Sequence, residues 1–294
     1  MRLDDRCLAC VFQQLERTGR LLGLDRARRR RIMRLGLGAA ARLDFARLTA
    51  PQFAEKVFDS LTAVCGRPDP YRRLKDELNR LVQDNLAFFR RRIDTAADPL
   101  RISGLYALLG NIIDYGVPDL FSRRDLFQEA DALKPDLDDY PRLRRQLALA
   151  DRLLYIGDNT GEAVLDVLFI EQLKRVNPRL QVVYAVRAKP AINDVTEGDA
   201  RKAGVGRVAE IISSGSTFAG TIPILGSACF RRHFQRADLV IAKGQGNFET
   251  METEKRGIFF VFKIKCAVVA DYLRLPAGAV IFAFNDRILN RRQG

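Results

Sequence analysis

Two patterns of hydrophobic positions divide the chain. Up to about residue 150, apolar residues recur at every third or fourth position, as in Phe53, Val57 and Leu61, which is typical of amphipathic helices. Beyond that point, short apolar runs alternate with helix-like segments. Six of these runs are predicted to be strands: Leu153–Ile156, Gln181–Val186, Val208–Ile212, Asp238–Ala242, Ile258–Phe262 and Ala279–Phe284. Strands that alternate with helices indicate βαβ units, so we predict an α/β protein with a mainly parallel sheet. The polar, proline-containing segment 131–141 is predicted to be a linker or a surface excursion.

Polar residues follow four of the predicted strands. They are Asp158, Asn159 and Glu162 after the first, Arg187, Lys189 and Asp194 after the second, Ser214 and Gly215 after the third, and Lys243 and Asn247 after the fourth. The carboxyl ends of parallel strands meet at one edge of a sheet, and ligands bind outside that edge. Carboxylate and amide oxygens suit Mg²⁺ or Mn²⁺. The basic side chains could neutralise a phosphate, and the Ser-Gly turn could offer backbone N–H groups to an anion.

Each of these residues also has a simpler interpretation. Asp158 and Asp194 could be helix N-caps, a position that Asp favours, and the basic and Ser-Gly segments could be ordinary surface pairs and turns. The recurrence of polar residues at successive strand ends is what favours a site. A further polar pair, Asn111 and Asp114, lies three residues apart on a predicted apolar helix. It could either cap a neighbouring loop or face the crevice, because buried polar groups need partners.

Composition restricts the function classes. Of the 294 residues, 47% are hydrophobic, which is enough for a large core. No apolar run reaches the roughly 18 residues of a membrane-spanning helix, and the first residues lack the apolar core of a signal peptide. We therefore expect a cytoplasmic protein without a membrane partner. The net charge of +13 could indicate a nucleic-acid partner. Most of the basic residues are Arg dispersed through predicted helices, however, so such a partner is not expected. A single histidine, His233, argues against Ser-His-Asp and Cys-His catalysis.

The cysteines are considered separately. Their number is five and they are scattered over a long chain, so a disulfide framework is not expected. Cys7 and Cys10 form a CxxC pair on a predicted helix, and Cys266 follows a predicted strand. These three are a candidate thiol site, either for zinc with one more ligand or for redox chemistry. Buried free thiols are the alternative.

Several short motifs occur in a defined order along nearly the whole chain. They are Cys7-x-x-Cys10, Gly110-Asn-Ile-Ile-Asp114, Gly157-Asp-Asn-x-Gly-Glu162, Arg187-x-Lys-Pro-x-x-Asn-Asp194, Ser213-Ser-Gly215, Lys243-Gly-Gln-Gly-Asn-x-Glu249 and Lys265-Cys266. In this order and spacing, the sequence resembles the metal-dependent damage-control phosphatases, a family formerly described as a domain of unknown function. The cysteine motifs look like those of its prokaryotic branch.

The resemblance implies both a fold and an activity. The fold is a Rossmann-like three-layer α/β/α core in residues 146–294, preceded by a helical domain in residues 1–145. The activity is hydrolysis of small phosphorylated metabolites, either sugar phosphates or damaged phosphometabolites, with a divalent metal such as Mn²⁺, Co²⁺, Ni²⁺ or Mg²⁺. Two alternatives remain open: protein carboxyl methyl transfer, to which one branch has been linked, and non-catalytic binding of a metal or of nucleic acid.

The resemblance also implies residue roles. It assigns Asp158, Asn159 and Asp194 as metal ligands and Lys243 as the phosphate-binding lysine. The predicted catalytic residues are Asp158, Asn159, Glu162 and Lys243. The predicted substrate-binding residues are Asn111, Asp114, Arg187, Lys189, Ser214, Gly215, Lys243 and Asn247. The cation would polarise the phosphate and activate a water, and Asp158 would be either a ligand alone or also the nucleophile.

Overall fold

The computed structural model describes residues 1–112 and 133–290. The helices are α1 (Asp5–Leu21), α2 (Arg26–Ala40), α3 (Ala50–Cys65), α4 (Arg72–Gln83), α5 (Leu86–Asp94), α6 (Pro99–Ile112), α7 (Tyr140–Leu149), α8 (Glu162–Val176), α9 (Glu197–Ala203), α10 (Ala228–Arg236), α11 (Gln245–Met251), α12 (Ala267–Leu273) and α13 (Asn285–Asn290). The strands are β1 (Leu137–Asp138), β2 (Arg152–Ile156), β3 (Gln181–Val186), β4 (Glu210–Ser213), β5 (Leu239–Lys243), β6 (Phe259–Lys263) and β7 (Val280–Phe284).

The strands form one sheet in the order β1-β7-β6-β5-β2-β3-β4. All neighbouring pairs are parallel except β6 and β7, which are antiparallel. All six predicted strands are present, and no end point differs from the prediction by more than two residues. The additional strand, β1, pairs with β7 through Leu137 and Ile281 and falls within the segment predicted to be a linker. Two residues are too few to produce an alternating hydrophobic pattern, so this strand could not be predicted from periodicity.

Alternate residues along each strand enter two separate hydrophobic cores. On β2, Leu153 and Tyr155 join a core formed with helices α4 to α9, whereas Leu154 and Ile156 join a core formed with α10 to α13. Because both faces of the sheet are covered, the central strands are apolar up to their last residue, as in the buried segments 239–242 of β5 and 259–262 of β6. The three-layer α/β/α architecture is therefore confirmed.

A third hydrophobic cluster lies within the first three helices. It includes Leu15 from α1, Ile32 from α2, and Phe53 and Val57 from α3. The start of α3 is fixed by a capping box between Thr49 and Gln52 and by a proline in its first turn.

The later helices of the predicted N-terminal domain pack directly on the sheet. Val82 of α4 and Leu108 of α6 belong to the same core as the β2 residues Leu153 and Tyr155. The proposed division between residues 145 and 146 stays a prediction, although β1 already belongs to the sheet. No helix in the described part of the chain is long and apolar enough to cross a membrane.

Candidate active site

The chain reverses its direction of progress across the sheet between β2 and β5. From β2 it continues to β3 and β4 on one side, and then returns to β5 on the other side. The carboxyl ends of β2 and β5 therefore flank the crevice where open α/β sheets bind ligands. At this point Gly244 has φ +82°, and a Cβ atom on it would lie 2.0 Å from Asp158 Oδ2. Glycine is required here, because any side chain would displace the Asp158 carboxylate.

Two strand-end loops meet beside this crevice. Asn159 and Asp194 form an antiparallel bridge, and the Val195 N–H donates to the backbone oxygen of Asp158 at 2.8 Å. The amide nitrogen of Asn159 donates to Asp158 Oδ2 at 2.8 Å and to Glu162 Oε2 at 3.1 Å. Because the nitrogen is engaged, the amide oxygen of Asn159 is the atom able to coordinate a cation. The structure thus brings the three predicted metal ligands, Asp158, Asn159 and Asp194, together.

Arg187 holds this arrangement from beneath the surface. Its buried guanidinium donates to Asp194 Oδ2 at 2.6 Å, to Thr221 Oγ1 at 2.7 Å and to Asn247 Oδ1 at 3.2 Å. It also lies 3.8 Å from Asp158 Oδ1. A planar guanidinium with five donors fixes several acceptors at once. Arg187 and Asn247 therefore stabilise the position of the acidic side chains of the site.

Lys243 lies in the layer between the sheet and α8. Its fully buried ammonium donates to Glu162 Oε1, to Asp166 Oδ1 at 2.7 Å and to the backbone oxygen of Ala107 at 2.8 Å. Burial lowers the pKa of Lys243, but Asp166 and Glu162 raise it by more, so the ammonium stays charged. Two tyrosines complete the network, since Tyr155 and Tyr184 donate to Asp166 at 2.5 and 2.7 Å.

The acidic groups at the crevice repel one another. Burial, then the charges of Asp194 and Glu162, raise the pKa of Asp158 well above its usual range. Burial also raises the pKa of Asp194, against the lowering effect of Arg187. Buried like charges are costly unless a cation neutralises them. The donor set therefore fits a hard divalent cation.

A pocket of about 450 Å³ opens at this point. Asp158, Asn159 and Asp194 lie on its wall, together with Gln245 and Lys265. The lining also includes Cys266, which follows β6, and residues from α1 and α3, namely Cys7, Cys10, Arg17, Ala54 and Phe58. The pocket thus has an oxygen-rich end beside a mixed surface of thiols, cations and apolar groups.

Several predicted substrate-binding residues lie elsewhere. The described residues that line the pocket do not include Arg187, Lys189, Ser214, Gly215, Lys243 or Asn247. Lys189 pairs with Glu55 and Asp59 on α3 at 3.1 and 3.7 Å. The hydroxyl of Ser214 donates to the backbone oxygen of Val186, and the N–H groups of Gly215 and Ser216 donate to neighbouring serines within the turn. The side chain of Asn111 and all of Asp114 lie outside the described residues, so their predicted roles stay predictions.

Sequence reasoning did not assign roles to three residues of the site. Lys265 lines the pocket and is close enough to lower the pKa of Asp158. Asp166 lies four residues after Glu162 on α8, and two acids so spaced on an apolar helix are a signal that could have been used. Thr221, which accepts from Arg187, lies in a loop without any periodic pattern.

The candidate thiol site shares the pocket. Burial raises the pKa of Cys7 to about 11 and also raises that of Cys10. Both thiols are thus protonated near neutral pH, which makes them poor nucleophiles. Within residues 1–112 and 133–290, no three His, Cys, Asp or Glu side chains are grouped so that they could hold a metal ion. In this conformation the three cysteines do not form a zinc site. A metal site at Asp158 and Asp194 would need the amide oxygen of Asn159 as its third protein ligand.

Comparisons with known proteins identify the family. The sequence profile of the "Damage-control phosphatase ARMT1-like domain" matches residues 3–281. The chain is 33% identical to the damage-control phosphatase PH1575 of Pyrococcus horikoshii over 289 residues, covering 96% of this chain and 97% of that protein. It is 25% identical to a damage-control phosphatase of Archaeoglobus fulgidus, covering 96% and 98% of the two chains.

A solved structure shows the same fold. The crystal structure of a DUF89 family protein from Pyrococcus horikoshii superimposes with a TM-score of 0.88 at 31% identity, covering 97% of this chain and 99% of that chain. A profile match over nearly the whole chain and this extent of identity establish the family. The chain belongs to the damage-control phosphatase ARMT1-like family.

Proposed function

We propose that this protein is a metal-dependent phosphomonoester hydrolase that acts on small phosphorylated metabolites, including damaged ones. One observation carries the proposal: two buried carboxylates and an amide from two strand ends lie together on the wall of an open pocket. Such a donor set needs a cation to offset its charge repulsion. Family membership and relatives named damage-control phosphatases support the same conclusion.

Asp158, Asn159 and Asp194 would hold the divalent cation through their oxygen atoms. When bound, a cation such as Mn²⁺, Co²⁺, Ni²⁺ or Mg²⁺ supplies Lewis acidity to the phosphate and lowers the pKa of a water molecule. Arg187 keeps Asp194 in place through the 2.6 Å hydrogen bond to its carboxylate. Glu162 keeps Asn159 oriented by accepting from its amide nitrogen. Asp158 would also be the residue placed to attack, if the reaction passes through a covalent intermediate.

Two lysines have different roles, one beside the phosphate and one in support of the acidic residues. We place Lys265 beside the transferring phosphate, because it lines the pocket and lies near Asp158. Lys243 does not contact the substrate but supports the site, because its buried ammonium pairs with Glu162 and Asp166 behind it. The Ser-Gly turn is given no direct role, since its backbone N–H groups donate within the turn.

The test is turnover of p-nitrophenyl phosphate and of a panel of sugar phosphates with and without added Mn²⁺, Co²⁺ or Ni²⁺. Asp158→Asn should reduce metal-dependent kcat/KM by a factor of about 10³ or more, since it removes a ligand charge at the reacting centre. The control is Asp151→Asn, because Asp151 precedes the same strand at its amino end and is 68% exposed. Full metal-dependent turnover by the folded Asp158 variant would reject the assignment. Binding of S-adenosylmethionine in calorimetry, without phosphatase turnover, would instead support methyl transfer.

A further inference from the structure

A second buried charge network joins the helical half of the chain to the sheet. Lys75 of α4 and Asp199 of α9 both have fully buried side chains, and their Nζ and Oδ2 atoms are 2.6 Å apart. Lys75 also pairs with Asp69 at 3.2 Å, and Arg72 donates to Asp199 Oδ1 at 2.5 Å. Burying a lysine is costly unless its charge is paired, as it is here with two carboxylates.

Asp199 acts on the segment that carries Asp194. It accepts from the backbone N–H of Thr196 at 3.1 Å and from the Thr196 hydroxyl at 2.7 Å, which caps the start of α9. Thr196 is only two residues after Asp194. The intervening residue, Val195, is held by β-type hydrogen bonds to the backbones of Asp158 at 2.8 Å and Arg187 at 3.0 Å. The backbone directly after Asp194 is therefore held both by the neighbouring strand-end loops and by the cap of α9.

Lys75 keeps the capping carboxylate ionised. Burial raises the pKa of Asp199, but Lys75, Thr196 and Arg72 lower it to about 2. Through its 2.6 Å contact with Asp199, the ammonium thus holds the carboxylate that anchors the backbone just after the predicted metal ligand.

We propose that Lys75 is a positioning residue for metal binding, which acts through Asp199 and Thr196 to fix the place of Asp194. This inference rests on the proposed role of Asp194 as a ligand. It assigns to the helical half a part in building the metal site. If Lys75 acts by positioning Asp194, its removal should weaken metal binding. Electrostatics alone predicts the opposite, because removal of a nearby positive charge should tighten the binding of a cation.

The test is calorimetric titration of the metal-free protein with Mn²⁺ alone. Lys75→Met should weaken Mn²⁺ binding by about tenfold or more, because Asp194 is no longer held in register. Arg73→Met is the matched control, since Arg73 lies on the same helix, is 90% exposed and pairs only locally with Glu77. Lys75→Arg should restore part of the affinity. Thermal unfolding of each metal-free variant shows that the titrated protein is folded.

Opposite results would overturn the inference. If folded Lys75→Met binds Mn²⁺ as tightly as the unsubstituted protein, or more tightly, Lys75 contributes to stability or charge alone. If Lys75→Met does not fold, Thr196→Val decides, because it removes the hydroxyl bond to Asp199 without a change in charge. That variant should weaken Mn²⁺ binding by roughly threefold or more, and unchanged binding would overturn the inference. If the unsubstituted protein binds no Mn²⁺, the proposed function itself fails, which is a distinguishable result.

Discussion

The candidate reactive groups on the two sides of the pocket, carboxylates and an amide on one side and thiols on the other, are held in different ways. On the sheet side, Asp158, Asn159 and Asp194 are fixed by hydrogen bonds to one another and to Arg187. On the helical side, Cys10 has a long contact of 3.8 Å with Gln14 on the same helix. Transition-state stabilisation requires groups held in fixed positions. We therefore expect the sheet side to carry the chemistry and the helical side to shape what can enter.

The largest effect on folding should come from the charge network behind the sheet side. Lys243→Met removes the ammonium that pairs with both Glu162 and Asp166, two buried acids. Loss of one partner of a buried pair costs about 3–5 kcal/mol. Urea denaturation of the variant should show a loss of this size in the free energy of unfolding. Lys255→Met is the control, because Lys255 is exposed, and an equally small loss in both variants would contradict the account.

A smaller effect is expected at the glycine that contacts Asp158. Gly244→Ala forces a side chain into a left-handed backbone position and into the Asp158 carboxylate. We expect a loss of about 1–3 kcal/mol in stability together with weaker Mn²⁺ binding. Gly198→Ala provides the comparison, because a Cβ at that helical position meets nothing within 4 Å and should be neutral or stabilising. Retention of full Mn²⁺ affinity by Gly244→Ala would show that Asp158 does not need its present position.

The fold was largely accessible from the sequence, and so was the meeting of Asp158, Asn159 and Asp194 at one edge of the sheet. Apolar runs predicted six strands, and a parallel sheet requires that their carboxyl ends meet at one edge. The orientation of Lys243 was harder to predict. It follows Ile241 by two residues on β5, so it shares the face that packs against α6 and α8. Because side chains alternate between the two faces of a strand, the position of Ile241 predicts that the Lys243 side chain lies between the sheet and the helices α6 and α8.

The pocket lining beyond the ligands could not be predicted in the same way. Lys265 and Cys266 come from the end of β6, and Cys7 and Cys10 from the first helix. Their meeting depends on how α1 and α3 pack over the sheet edge, which hydrophobic periodicity does not determine. Periodicity gives the buried face of a helix but not the element that covers it.

The smallest effect concerns the thiols of the helical side. Because burial raises the pKa of Cys7 to about 11, its thiolate fraction at pH 8 is only about 10⁻³. Alkylation by iodoacetamide should therefore be slow near neutral pH and accelerate about tenfold per pH unit between roughly pH 8 and 10. Mass spectrometry of the Cys7 peptide measures this rate, with free glutathione as the reference thiol. Rapid alkylation that does not depend on pH would show an activated thiolate and would give the helical side a chemical role.

The central claim is that the sheet side of the pocket binds the catalytic cation. The most direct measurement is anomalous scattering from a crystal of the protein soaked with Mn²⁺ and phosphate. We predict a single strong peak within coordination distance of oxygen atoms of Asp158, Asn159 and Asp194, which is about 2.0–2.3 Å for such hard cations. A peak at Cys7, Cys10 and Cys266, with none beside Asp158, would contradict the account.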